Sequence, residues 1–118
     1  MSPRRLSAAA TSAIQAATNS GGLAIASVTL VEVAWLMARG RLRLQGTPET
    51  LLPELLDSTG VVVKEITPAI AALFTHFPDA VGHDPVDRVI LATARLDGMP
   101  LVTRDRRMRA QHMVQTVW

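Results

Sequence analysis

DPVDRVILATARLDGMPLVT, running from Asp84 to Thr103, holds a helix start, a helix stop and a strand in one continuous reading. Asp84 before Pro85 is a strong opening signal. The carboxylate accepts an otherwise orphaned backbone N–H, and proline at the first helical position has no intrahelical donor to lose. Asp87, Ile90, Leu91 and Ala94 recur at three- and four-residue spacing, which puts them on one helical face that packs against a sheet. Gly98 supplies the stop, and Met99-Pro100-Leu101-Val102-Thr103 reads as a strand.

The same alternation extends outward in both directions. Leu23-Ala24-Ile25-Ala26-Ser27 is a short apolar run after Gly21-Gly22, as expected of a parallel strand covered on both faces, and the period turns helical from Val28 to Arg39 with Gly40 as the stop. A second helix opens at Thr47-Pro48-Glu49, and Pro53 is expected to kink or shorten it. The β-branched run Val61 to Ile66 reads as a strand, and Thr67-Pro68 starts a helix reaching about Phe77. Ser7 caps a first helix through about Ala17, ended by Asn19-Ser20-Gly21-Gly22. Beyond Thr103 a basic turn leads to a last strand, Val114 to Trp118. Strands alternating with helices imply an α/β fold with a mainly parallel sheet, and nothing in the chain suggests a second domain within residues 1–118.

Composition narrows the function classes. Hydrophobic residues at 48% against 19% charged argue for a packed core over disorder, and no apolar run is long enough to cross a bilayer. The residues after Arg4-Arg5 are helical in pattern and unlike a signal peptide, so a cytoplasmic location is expected. With no cysteine, any metal must sit on oxygen or imidazole ligands. The pI of about 10.4 overstates the field, because the net charge is only +2 and little titrates between neutrality and arginine. Arg39, Arg41 and Arg43 form one basic knot and Arg104, Arg106, Arg107 and Arg109 another. Each suits a phosphate backbone or an acidic partner, and each could equally solvate a loop. His76, His83 and His112 are scattered without zinc-like spacing and read as surface or capping residues.

Four acids carry the chemical argument. Glu32 is the only ionisable side chain between Gly22 and Ala38, and a carboxylate there reaches for water, pairs with arginine or coordinates a cation. Asp84 is adequately explained as a helix cap. Asp87 is less so, since it shares the apolar face of its helix. Asp105 follows a strand by two residues, at the carboxyl edge where open α/β sheets hold ligands, although a turn would also use it. If these acids converge, an oxygen-only cluster of that kind suits Mg²⁺ or Mn²⁺. No glycine-rich phosphate loop is present: Gly21-Gly22 precedes a strand and lacks the spacing, which argues against a nucleotide-binding domain.

Three segments in order, ASVTLVEVAWLMARGRL (Ala26 to Leu42), HDPVDRVILATAR (His83 to Arg95) and PLVTRDRRM (Pro100 to Met108), resemble the PIN-domain ribonuclease toxins of the VapC type. The resemblance implies a PIN-like three-layer sandwich and Mg²⁺- or Mn²⁺-dependent cleavage of RNA. It implies Glu32, Asp87 and Asp105 as metal-binding acids, with Asp84 in the same loop and Arg88 and Thr103 flanking the site. Arg39, Arg41, Arg43, Arg104 and Arg106 are the expected RNA contacts. The expected protein partners are a cognate antitoxin and a second copy of the chain.

Members of that family open with a central strand ending in an aspartate, and this sequence resembles them only from beyond that point. The expectation is therefore a sheet without its first central strand, two neighbouring strands without partners, and little cleavage by this short form. A start assigned too far downstream ranks first among the explanations, ahead of gene decay and of a strand supplied by another chain. The competing function is a catalytically inactive remnant that still docks an antitoxin or itself through Trp35, Leu36 and Met37.

Overall fold

The computed structural model describes residues 7–19, 22–41 and 45–118. Along them run α1 (Ala8–Asn19), β1 (Ala24–Ala26), α2 (Val28–Ala38), α3 (Pro48–Thr59), β2 (Val62–Lys64), α4 (Pro68–Phe74), a 3₁₀ turn (Asp79–Val81), α5 (Pro85–Leu96), β3 (Leu101–Val102), α6 (Arg106–Gln111) and β4 (Thr116–Val117). Arg43 and the opening residues Met1 to Leu6 lie outside the described residues.

The sequence signals at the helix ends have direct counterparts. The Ser7 hydroxyl accepts the Ala10 N–H at 3.0 Å, Thr67 Oγ1 accepts that of Ile70 at 3.2 Å, and Asp84 Oδ1 accepts that of Val86 at 2.9 Å. At the far end of α5 the Gly98 N–H donates to the Arg95 carbonyl at 3.2 Å and the Met99 N–H to that of Ala94 at 2.9 Å, with Gly98 at φ +64°. This paired closure needs a left-handed residue, which is why glycine stands there.

Every strand pairing among the described residues is parallel, as the strand–helix alternation requires. β1 pairs with β2, aligning Ala24 with Val62 and Ala26 with Lys64, and β3 pairs with β4, aligning Leu101 with Thr116. The ladder forms two separate two-stranded pieces, and each strand is shorter than its apolar run. The core gathers between α4, α5 and the segment joining them, from Ile70, Phe77, Val81, Leu91 and Ala92, with Leu101 and Val114 packed against it.

Three local expectations are corrected. Pro53 does not shorten α3, which continues past it to Thr59. It lies on the exposed side of the helix, where the Glu49 carbonyl it leaves without an intrahelical donor is open to solvent. Helix α4 stops at Phe74, short of Phe77, because the carbonyls of Phe74 and Phe77 turn to meet the side chain of Arg88. The basic turn after Thr103 is in fact the short helix α6. Its backbone is opened by Asp105, whose Oδ1 accepts the N–H groups of Arg107 at 2.8 Å and Met108 at 3.2 Å.

Candidate active site

β1 runs into α2 through Ser27 alone, and β3 runs into α6 through the loop Thr103 to Asp105. Within each strand pair the strands run parallel, so each junction leaves the carboxyl end of its strand, the end where α/β folds collect ligand groups. Glu32 stands in the second turn of α2, Asp84 and Asp87 cap and open α5, and Asp105 opens α6. α2 and α5 pack against each other, which carries Glu32 toward the start of α5.

The acids sense one another. Glu32 holds its proton more tightly than an ordinary glutamate, first because it is partly desolvated and then because Asp84 and Asp87 repel its charge. Asp87 is raised in the same way, by desolvation and then by Asp84 and Asp105, with Arg107 acting in the opposite direction. The four carboxylates thus share one neighbourhood whose negative potential Arg107 only partly offsets.

Their hydrogen bonds separate them into two kinds. Asp84 and Asp105 each have an oxygen engaged as a helix cap, and the Asp105 N–H is itself held by Thr103 Oγ1 at 3.1 Å, so Thr103 orients that acid. No hydrogen bond or ion pair among the described residues reaches the carboxylate of Glu32 or Asp87. Among the described residues, no three acid or histidine side chains close together tightly enough to hold a metal ion by themselves. The donor set still suits a hard divalent cation in its chemistry. It is all oxygen, it is net negative, and its two uncapped members are the ones whose ionisation is disfavoured.

Arg88 has a different setting from the acids. It is buried at 9% exposure, and its guanidinium donates to the carbonyls of Gly82 at 2.8 Å, Phe77 at 3.0 Å, Pro78 at 3.2 Å and Phe74 at 3.4 Å. It thereby ties the 74–82 segment to the helix that carries Asp84 and Asp87. Of the arginines expected to meet RNA, Arg39, Arg41, Arg104 and Arg106 are exposed, and Arg39 lies over the Trp35 ring at 4.7 Å from its centroid. Sequence reasoning counted Arg107 only as part of a basic knot. Its role as the cation beside Asp87 arises because α6 turns it back over Gly82, where an added Cβ would meet its guanidinium at 3.0 Å.

Two outcomes follow from this arrangement. Asp84→Ala is expected to lower stability by about 1 kcal/mol through the lost cap, while Asp84→Asn keeps the acceptor and costs a few tenths at most; chemical denaturation of the two variants separates them. Glu32→Gln is expected to raise the melting temperature at pH 7 in chelator, by the equivalent of up to about 1 kcal/mol, as for a screened surface interaction. The sign follows from the raised folded-state pKa. The folded protein binds this proton more tightly than the unfolded chain, so the glutamate lowers stability as pH rises through the carboxylate range. The gain on substitution should therefore disappear below the ordinary glutamate pKa, and melting curves at the two pH values test it.

Comparison with known proteins places these features in a family. A profile described as PIN domain matches residues 1–111. The chain is also similar to Ribonuclease VapC22 of Mycobacterium tuberculosis (strain ATCC 25618 / H37Rv), 39% identical over 118 residues, covering 98% of this chain and 87% of the relative. Among the described residues no helix is long and apolar enough to cross a membrane.

Proposed function

The chain belongs to the PIN-domain family as a VapC-like ribonuclease, and from that premise we propose that it hydrolyses RNA phosphodiester bonds using Mg²⁺ or Mn²⁺ held by Glu32, Asp87 and Asp105. What supports this reading above all is the mutual repulsion of the carboxylates at the edge where β1 and β3 end. Structural helix caps alone explain Asp84 and Asp105, but not two further acids left without donors beside them.

The bound cation would neutralise the phosphate and acidify a water molecule. The chain's own residues do the remaining work. Asp105 is kept in one orientation by its cap and by Thr103, so its second oxygen is presented without rotamer loss. Asp87, with its raised proton affinity, is the best placed of the acids to take up a proton during attack. Arg104 and Arg106 at the start of α6, and Arg39 and Arg41 after α2, would draw in the RNA backbone by charge; Arg43 is assigned the same role from sequence. A cognate antitoxin is the proposed neutralising partner, and a second copy of the chain a further one.

One observation favours a second reading, an inactive module that docks an antitoxin or itself. No trio of ligands closes among the described residues, while Val31 at 62% and Trp35 at 56% exposure leave an apolar stripe of α2 exposed. Calorimetric titration with Mg²⁺ and Mn²⁺, run beside cleavage of a structured RNA pool in the metal and in chelator, distinguishes the two. Metal binding with chelator-sensitive cleavage supports the nuclease, and antitoxin binding without either supports the module.

A further inference from the structure

Two arginines meet at Gly82, and they are used differently. Arg88 is buried and donates to the Gly82 carbonyl at 2.8 Å and to those of Phe77, Pro78 and Phe74, so its donors are spent inside the fold. Arg107 is exposed, and its guanidinium lies across the bare Cα of Gly82. A Cβ built there would meet Nη1 at 3.0 Å, Cζ at 3.1 Å and Nη2 at 3.4 Å. Among the described residues, no hydrogen bond or ion pair reaches that guanidinium.

The surroundings fix where this cation stands. Gly82 is held at φ +91°, with its N–H donating to the Asp79 carbonyl at 2.9 Å and its own carbonyl bound by Arg88. The Arg107 backbone is held in turn, its N–H donating to Asp105 Oδ1 at 2.8 Å, and α6 packs against the 3₁₀ turn that ends at Gly82. The guanidinium favours the ionised form of Asp87, yet it closes no ion pair with Asp87 or with Asp105. A cation that served only to neutralise these acids would gain most by closing on one of them in a direct, charge-assisted pair. Arg107 instead stands beside them on a backbone seat, with its planar set of N–H donors unspent.

We infer that Arg107 is a catalytic residue, whose guanidinium, seated on Gly82, donates to the non-bridging oxygens of the RNA phosphodiester under attack. The inference rests on the nuclease reading for its substrate. In hydrolysis the water oxygen bonds to phosphorus and one ester P–O bond breaks. The departing oxygen gains the proton that the water loses, passed through a carboxylate. Charge gathers on the non-bridging oxygens as the water adds, and donors already in place stabilise it without reorganising. The guanidinium keeps all its protons throughout. A planar fork matches two oxygens on one phosphorus, which a point-charge ammonium does not. Arg104 and Arg106 would draw RNA in by charge, whereas Arg107 is the arginine of α6 that also acts on Asp87. The absence of a side chain at Gly82 is part of the device, since a Cβ there would lift the fork from its seat.

The test compares the full chain with Arg107→Met and Arg107→Lys, each checked for folding by thermal melting. A short single-stranded RNA is bound in chelator and cut in Mn²⁺, and Mn²⁺ affinity is measured separately by calorimetry. Arg107→Met is expected to lower kcat by about 10²-fold, the scale of one lost donor to a developing oxyanion. RNA binding in chelator should weaken by about fivefold, as for one lost charge-assisted contact. Mn²⁺ affinity should hold or rise, because a cation beside Asp87 has gone. Arg107→Lys keeps the charge without the fork and should reach about a tenth of the parent kcat or less; it decides alone if the methionine variant does not fold. Unchanged cleavage in Arg107→Met would overturn the inference. Weaker Mn²⁺ binding would overturn it by making Arg107 a support for the acids, and full recovery by lysine by reducing it to a field effect. A parent chain that cuts no RNA in Mn²⁺ removes the nuclease reading and the catalytic role together. The chelator arm then judges the phosphate contact alone, which an unchanged RNA affinity in Arg107→Met would overturn as well.

Discussion

Asp87→Asn is expected to reduce RNA cleavage by about 10²–10³-fold, the scale seen when one member of a preorganised electrostatic cluster is removed. The substitution retains size and polarity while deleting the charge, and Asp87 links the acids, since Asp84 and Asp105 act on it and it acts on Glu32. Divalent-cation affinity measured by calorimetry should fall with it, by tenfold or more. The paired readout matters, because lost cleavage with intact metal binding would confine Asp87 to proton transfer, and unchanged values of both would remove it from the site. The fold should survive: Asp87 caps nothing, and relief of the repulsion offsets the weaker interaction with the helix dipole.

Arg88→Met is expected to destabilise the fold by about 3–5 kcal/mol, a large share of the stability of a domain this size. The methionine replaces much of the apolar stem, so the loss isolates the guanidinium. Without it, the Gly82 and Phe77 carbonyls lose donors inside the protein, and those of Phe74 and Pro78 lose them at its margin. Arg88→Lys should recover less than half of the loss, since one ammonium cannot reach in the several directions of a planar fork. Denaturant midpoints for the three proteins decide it. A lysine variant as stable as the parent would show that charge alone suffices there.

These cases also mark how much the chain disclosed in advance. The N-termini of α1, α4 and α5 were legible because each is fixed within three residues by a hydroxyl or carboxylate, and such chemistry does not depend on the fold. The candidate acids were legible one at a time, Glu32 by its isolation among apolar residues and Asp105 by its distance from a strand. Their coupling was not, because it arises only when α2 and α5 pack and α6 turns back. Helix α6 itself was hidden by its three arginines with no apolar period, only Met108 of its residues being buried. Arg88 was read as flanking the site, and its engagement with four carbonyls depends on where the segment after α4 passes. The strands shrank relative to their apolar runs because pairing, and not propensity, sets where a ladder stops.

The chain contains no tyrosine and two tryptophans, which gives its ultraviolet emission two sources. Trp35 is mostly solvated beneath the Arg39 guanidinium and one helical turn from Glu32, while Trp118 is half-buried just beyond β4. The native protein thus has one built-in fluorophore beside its acidic cluster and another at the terminus of its last strand. Ligand arrival and unfolding can be read in the same cuvette, without a label.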